Sequence, residues 1–219
     1  MHTHTAPCSK CAPMTPSELV AALHEGGYAG CVMTNHFMGG NTGIDRSLSW
    51  EKFVRAYEDD YIACKSEAEK YGLDVIFGVE DHVGGGLEIL CYGITPDTLY
   101  SHPELAEHKI EDWHKVLHES GALCIQAHPF RDRAYITMHG MLPLEYIDGF
   151  EVYNSANTPE ANEEAEDFAK CHTGLILTAG ADAHVKERVC SSGMEFDERI
   201  HDERELVLAL TSKKYTFIK

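Results

Sequence analysis

The chain has 219 residues, of which 43% are hydrophobic and 25% are charged, as expected for one globular domain with a buried core. Its formal net charge of −18, from 36 acidic and 18 basic residues, argues against the basic surface that nucleic acid or an anionic membrane requires. With no secretory leader and no bilayer-spanning apolar run, the sequence predicts a cytoplasmic protein with a single domain over 1–219.

Segments typical of strands and helices alternate along the chain. Thr15 and Glu18 form a capping-box pattern with a proline between them, which predicts a helix that ends at Gly26. Further helices are predicted over about 49–71, 103–120, 159–172 and 202–213. The predicted strands are MHTHT (1–5), AGCVMTN (29–35), LDVIFGVE (73–80), LEILCYGI (87–94), ALCIQAHP (122–129), DGFEVYN (148–154), LILTAGADAH (175–184) and YTFI (215–218).

Repeated strand–helix units with continuous apolar strands predict an α/β protein with a parallel sheet and helices outside it. Seven or eight such strands in one domain favour a β/α barrel. An open doubly wound sheet is the alternative, but no GxGxxG motif follows the first strand.

Almost every predicted strand carries a histidine or a carboxylate, and most of these residues lie at its carboxyl end. If residues 1–5 form a strand, His2 and His4 point to the same face, because side chains alternate along a strand. The other candidates are His36, Glu80, Glu88, His128, Glu151, Asp182 and His184. The carboxyl ends of barrel strands converge on one face, so we expect these side chains to form one metal-binding cluster. Six further histidines fall on predicted helices and are expected to be solvated.

Mixed imidazole and carboxylate ligands suit Zn²⁺, Mn²⁺ or Fe²⁺ better than Mg²⁺ or Ca²⁺. The candidates exceed the needs of one tetrahedral ion, so two or three divalent ions are predicted. A carboxylate such as Glu80 can bridge two ions about 3.5–4 Å apart, between which water becomes a hydroxide nucleophile.

Five ordered motifs, HTHT (2–5), TNH (34–36), GVE (78–80), AHPF (127–130) and GADAH (180–184), resemble the PHP family. This family includes histidinol-phosphate phosphatases and domains of bacterial replicative polymerases. The resemblance covers essentially the whole chain. It implies a distorted seven-stranded β/α (TIM-like) barrel and a metal-dependent phosphoesterase.

The resemblance also implies a distribution of the ligands over three metal sites. The first metal would be held by His2, His4, Glu80 and Asp182. Glu80 would bridge to a second metal, completed by His128 and by Glu88, where the family often has histidine. A third metal would use His36, His184 and a further histidine whose position is occupied here by Lys10. Lys10 either substitutes electrostatically for a cation or leaves the third site weak.

Other assignments remain open at the level of sequence. Arg131 follows AHPF directly and could clamp a phosphate, or it could be a surface arginine in an ion pair. Asn154 and Glu151 are expected at the rim or as hydrogen-bond partners of the ligands, and His82 competes with Glu80 as a ligand. The roles of Cys8 and Cys11, the only CxxC pair, are not predicted.

The sequence therefore predicts hydrolysis of a small phosphomonoester or phosphodiester, with Glu80 and Asp182 as catalytic residues. Arg131, Lys10 and Asn154 are the predicted substrate-binding residues. One alternative is an amidohydrolase-like enzyme that cleaves a C–N or C–O bond. The other is a catalytically degenerate interaction module, suggested by the departures at Lys10, Asn35 and Glu88. No nucleic-acid or membrane partner is expected, and the oligomeric state is not predicted.

Overall fold

The computed structural model describes all residues, 1–219. Its centre is a curled six-stranded sheet in the order β1-β2-β3-β4-β5-β6. The strands are β1 (Gly30–Met33), β2 (Asp74–Gly84), β3 (Leu87–Tyr92), β4 (Leu123–Gln126), β5 (Gly149–Asn154) and β6 (Ile176–Gly180). A separate two-stranded sheet pairs β7 (Gly193–Phe196) with β8 (Tyr215–Ile218). The helices are α1 (Pro16–Glu25), α2 (Trp50–Glu69), α3 (Pro96–Ser101), α4 (Ile110–Ser120), α5 (Pro159–Cys171) and α6 (Glu203–Ser212).

The first residues of the chain connect the two edges of the curled sheet. Thr3 forms isolated parallel bridges to Met33, at the end of β1, and to Ala183, shortly after β6. The predicted strand over 1–5 is thus reduced to a bridge at one residue. The mixed α/β architecture is confirmed as a six-stranded half-barrel, whereas a complete seven-stranded barrel is not observed.

The sheet is mixed rather than parallel, because β3 runs antiparallel to both of its neighbours. Only two residues, Gly85 and Gly86, connect β2 to β3, and their φ values are 63° and 86°, after a φ of 112° at Gly84, the last residue of β2. A parallel connection needs a crossover of a dozen or more residues, so a linker this short can only form a hairpin. The prediction of a parallel sheet was therefore wrong at β3. The hairpin nevertheless places the start of β3 beside the end of β2.

The helix predicted over 103–120 is interrupted. A 3₁₀ turn covers Pro103–Glu107, and His108 adopts a left-handed conformation with φ of 54° before α4 begins. The capping box predicted at the start of α1 is confirmed, because Thr15 accepts a hydrogen bond from the Glu18 N–H and the Glu18 carboxylate accepts one from the Thr15 N–H.

The main apolar core lies between the sheet and helices α1, α2 and α4. Phe37 and Trp113 are fully buried there and meet edge to face, with ring centroids 5.8 Å apart. This apolar packing covers the outer face of the strands. The polar side chains of the candidate site gather at one end of the sheet. None of the helices combines the length and the apolar character needed to cross a bilayer.

Candidate metal centre

His2 and His4 are completely buried although they lie near the beginning of the chain. The backbone pairing of Thr3 fixes this segment, and the His4 N–H donates to the Ala183 carbonyl over 3.0 Å. Alternation along an extended segment turns both imidazoles inward. Their ring centroids are 5.1 Å apart.

Glu80, near the middle of β2, lies at the centre of four imidazoles. Its Oε1 atom is 2.9 Å from His2 Nε2 and 3.3 Å from His128 Nε2. Its Oε2 atom is 3.3 Å from His4 Nε2 and 2.7 Å from His36 Nδ1. Each carboxylate oxygen therefore faces a different pair of histidines, as expected of a residue that bridges two ions.

Asp182 and His184 follow β6 and reach the same cluster. Asp182 Oδ1 lies 3.5 Å from His2 Nε2 and 3.2 Å from His4 Nε2. The backbone of Asp182 is left-handed, with φ of 47°, which is uncommon outside glycine. The His184 ring stacks on that of His4, with centroids 4.2 Å apart.

Glu88 enters the cluster through the hairpin. As the second residue of β3, it lies beside the end of β2, and its Oε2 is 3.4 Å from His128 Nε2. His128 follows β4, so residues from β2, β3 and the segment after β4 meet at one point. The structure thus brings together all eight predicted metal ligands: His2, His4, His36, Glu80, Glu88, His128, Asp182 and His184.

The second ring nitrogens of the clustered histidines are held by defined acceptors. His2 Nδ1 donates to Glu151 Oε1 over 3.1 Å, and His4 Nδ1 donates to Ser9 Oγ over 3.0 Å. His184 Nδ1 donates to the Asp182 carbonyl over 3.0 Å. This arrangement is typical of metal-binding histidines, because the acceptor fixes the ring and its tautomer.

Four atoms of the cluster are buried without a hydrogen-bond partner, since the close contacts between them are not aligned as hydrogen bonds. They are His2 Nε2, His4 Nε2, His36 Nδ1 and Glu80 Oε2. Unpaired buried polar atoms are costly and rare in proteins. Imidazole nitrogens and carboxylate oxygens are donors that divalent ions accept, and these four atoms lie around Glu80, so the residues fit a metal centre.

Without metal, the charges of the cluster shift the pKa values of its members strongly. Burial opposes ionisation of Glu80, but His2 and His36 hold its pKa well below the usual range. Burial alone would lower the pKa of His2, but Glu151 and Glu80 raise it well above the ordinary value. Burial and His36 lower the pKa of His4 to about 3. Burial and the charge of Glu80 raise the pKa of Glu88 to about 8.

A cavity of about 470 Å³ opens above the cluster. Arg131 lines it, but this side chain is buried and donates to Asp182, Asn154 and Asn157 over 2.7, 3.2 and 2.8 Å. Asn154 lies behind Arg131 and is fully buried, with its Nδ2 donating to Glu151 Oε2. Of the two roles left open by the sequence, a surface arginine does not fit this burial, because Arg131 is embedded in the site. A larger cavity, about 590 Å³, lies among Gly30, Asp74 and Arg199 and contains none of the eight predicted ligands.

Cys11, rather than Lys10, lines the cavity beside His36 and His184. Burial raises the pKa of the Cys11 thiol, but hydrogen bonding with His184 and His36 outweighs this effect and lowers it to about 6. Lys10 is exposed, and its N–H donates to the Asn41 carbonyl. The CxxC motif was the only signal in the sequence that could have directed attention to Cys11.

Ser9 is a further site residue that sequence reasoning missed. It accepts hydrogen bonds from His4 Nδ1 and from the His36 N–H, and its hydroxyl donates to Asn35. His82 also lines the cavity, but its Nε2 accepts a hydrogen bond from the Gly86 N–H over 2.9 Å. Glu80, not His82, therefore occupies the centre of the cluster.

Comparisons with known proteins agree with this architecture. A family model described as PHP-associated matches residues 159–215. No curated protein matches the chain in sequence. PsfC from Pseudomonas syringae has a similar structure, with a TM-score of 0.69 at 14% identity, over 99% of this chain and 89% of PsfC.

Two other solved structures share the fold. A candidate metal-dependent phosphoesterase from Bifidobacterium adolescentis gives a TM-score of 0.59 at 14% identity, over 95% of this chain and 94% of that chain. An amidohydrolase from Chromobacterium violaceum, with bound sulfate and no metal, gives 0.56 at 17% identity, over 84% of this chain and 86% of that chain. At these identities the likeness concerns the fold.

Proposed function

We propose that this chain is a metal-dependent phosphoesterase of the PHP type, acting on a small phosphomonoester or phosphodiester. The match of residues 159–215 to a PHP-associated family model supports this proposal. The observation that carries this proposal is the convergence of four unpartnered buried atoms, from His2, His4, His36 and Glu80, beneath an open cavity. A catalytic hydrolase needs both a metal centre and access for substrate, and this arrangement supports both.

The contacts in the cluster support the distribution of ligands that the family resemblance implies. His2, His4, Glu80 and Asp182 would hold one ion, and Glu80, Glu88 and His128 a second. Zn²⁺, Mn²⁺ and Fe²⁺ suit this mixture of nitrogen and oxygen donors. When bound, such ions lower the pKa of water and offset the negative charge that develops on a phosphate in the transition state.

Arg131 contributes through the positions of its donors. Its Nη1 fixes Asp182 while its Nε and Nη2 hold two asparagine side chains. Each terminal nitrogen of a guanidinium carries two N–H groups, so donors remain at the cavity wall for a phosphate oxygen. Arg131 therefore orients a metal ligand and presents positive charge to substrate. Lys10, on the exposed neighbouring loop, would act on an anionic substrate only at longer range.

The volume of the cavity limits the size of the substrate. Pockets of roughly 300–1,000 Å³ accommodate small molecules, and this one measures about 470 Å³. The exposed side chain of Tyr135 lies on its wall, where an aromatic face can contact the organic part of a phosphate ester. A sugar, amino-alcohol or nucleoside phosphate fits this description better than a polymer.

The proposal is tested with p-nitrophenyl phosphate and bis(p-nitrophenyl) phosphate, using protein loaded separately with Zn²⁺, Mn²⁺ and Fe²⁺. We expect turnover of one of these esters and a loss of at least about 100-fold in Asp182→Ala, since even outer contacts of a metal site cost 10–100-fold. Asp59→Ala, an exposed aspartate on α2, is the matched control and should retain activity. Equal rates in Asp182→Ala and wild type would refute the proposal. Failure to bind any metal would favour the interaction module.

Hydrolysis of a C–N or C–O bond is a second candidate. It is favoured by the structural likeness to the amidohydrolase from Chromobacterium violaceum. A metal centre of the same composition can serve a carbonyl carbon as well as phosphorus. Turnover of lactones or amides without release of phosphate from any ester would establish this candidate and exclude the first.

A further inference from the structure

The two cysteines of the CxxC motif have different environments. Cys8 is buried in the apolar core with Met14. Cys11 is exposed and lines the cavity over the metal centre. Both are free thiols. Because only Cys11 is directed to the site, the motif does not form a pair of ligands, and any chemistry toward the metal centre belongs to Cys11.

The loop that carries Cys11 is anchored to the segment after β1. The Lys10 N–H donates to the Asn41 carbonyl over 2.9 Å, and the Gly43 N–H donates to the Cys8 carbonyl over 2.8 Å. Ser9 forms an isolated bridge with Thr42 and donates its hydroxyl to Asn35. These bonds fix the residues immediately before Cys11, so its position beside the site is set by the fold.

Three imidazoles form one group within the cluster. His4, His36 and His184 each offer a nitrogen within 4.8 Å of the other two. His4 Nε2 and His36 Nδ1 are unpartnered, and both side chains are more than nine-tenths buried. Cys11 lines the same cavity as His36 and His184. The unpartnered nitrogens and the thiol are thus on the same side of the cluster.

We infer that Cys11 supplies a thiolate ligand to a metal ion that is also held by His36 and His184. This inference rests on the metal-dependent function proposed above and adds a sulfur donor to it. The residue one position before, Lys10, offers a charge but no lone pair, whereas a thiolate is a strong ligand for borderline ions. Two imidazoles and a thiolate favour Zn²⁺, Fe²⁺ or Co²⁺ over Mn²⁺ and Mg²⁺ at this position.

The test uses Co²⁺ as a spectroscopic probe in the full-length protein. A bound thiolate gives a sulfur-to-cobalt charge-transfer band in the near ultraviolet, which imidazole and carboxylate ligands do not produce. We would titrate Co²⁺ into metal-free wild type, Cys11→Ser, Cys11→His and the control Cys171→Ser, and count bound metal by elemental analysis. Cys171 is an exposed cysteine at the end of α5 and lies outside the cavity.

In wild type and Cys171→Ser we expect the charge-transfer band and three bound equivalents of Co²⁺ per chain. Cys11→Ser should lose the band and one equivalent, and Cys11→His should lose the band but keep the third equivalent. A wild-type complex that binds two equivalents with no band would overturn the inference and leave the proposed function intact. Retention of the band in Cys11→Ser would also overturn it. Absence of any Co²⁺ binding would overturn both.

Discussion

Arg131 donates from Nη1 to Oδ2 of Asp182 over 2.7 Å, and each side chain is only 8% exposed. The other oxygen of Asp182, Oδ1, faces His2 and His4. A single buried ion pair therefore divides the two oxygens of this carboxylate between an arginine and the metal centre. Arg131 also raises the local positive charge next to a cluster that contains three carboxylates.

Arg131→Met should consequently weaken both the fold and the metal centre. Removal of one partner from a buried ion pair leaves the other charge uncompensated and costs about 3–5 kcal/mol in the free energy of unfolding. Metal affinity should fall by about 10–100-fold, because Asp182 loses the contact that orients it. Urea unfolding of metal-free protein and metal titration measure the two effects. Arg133→Met, at an exposed neighbouring arginine, is the control, and equal effects of both variants would contradict the role of Arg131.

The positions of the ligands could be predicted because they depend on one rule. Residues at the carboxyl ends of parallel strands converge, and Asp182 and His128 follow this rule without any knowledge of loop structure. Glu88 lies in the cluster for another reason. Its strand, β3, is antiparallel to β2, so the first residues of β3 lie beside the last residues of β2. The glycines at 84–86 indicate this hairpin, because they are too few for the crossover that a parallel strand requires.

The loop contacts could not be predicted from sequence. Ser9 and Cys11 lie in a segment without hydrophobic periodicity. Hydrogen bonds of Cys8 and Lys10 to residues 41–43, far away in the chain, hold this segment in place. The sequence left open whether Arg131 binds a phosphate or forms an ion pair at the surface. Its burial against Asp182 depends on the path of the chain after AHPF, and no pattern in the sequence specifies that path.

Replacement of Glu80 by glutamine should affect more than one metal. Both oxygens of Glu80 face histidines, whereas a glutamine side chain offers a single oxygen ligand. We expect Glu80→Gln to lose at least one bound equivalent and to reduce hydrolysis by about 100-fold or more. Elemental analysis and the ester assays measure this result. The exposed Glu163→Gln is the matched control, and full metal content in Glu80→Gln would show that Glu80 does not bridge.

The stability of metal-free protein should depend on Glu88 in a defined pH range. Burial and the charge of Glu80 raise the pKa of Glu88 to about 8 from an ordinary value of 4.5. Between these values the native chain keeps a proton that the unfolded chain has released, so the free energy of unfolding falls as the pH rises. Glu88→Gln removes this contribution, and its stability relative to wild type should increase from pH 5 to pH 8. Urea unfolding of both proteins after chelation measures the difference, and a constant difference would contradict the raised pKa.

Asn35, where the PHP family usually has aspartate, is explained by its contact with Asp60. Asn35 Nδ2 donates to Asp60 Oδ2 over 2.7 Å, and Asn35 Oδ1 accepts from the Thr5 N–H over 2.7 Å. Both side chains are buried, at 1% and 6% exposure. An aspartate at position 35 would bring one of its carboxylate oxygens within hydrogen-bond distance of Asp60 Oδ2. The two carboxylates would then need to share a proton.

Asn35→Asp should therefore lower the free energy of unfolding by about 1–3 kcal/mol near neutral pH, the cost of an unsatisfied buried polar group. The loss should shrink toward acidic pH, where the carboxyl pair of the native state can hold a proton. In the double variant Asn35→Asp/Asp60→Asn the amide and the carboxylate exchange places, and the hydrogen bond is formed in the opposite direction. The double variant should thus be more stable than the sum of the two single effects by about 0.5–3 kcal/mol. Strict additivity in urea unfolding would show that the amide at position 35 is not retained for its contact with Asp60.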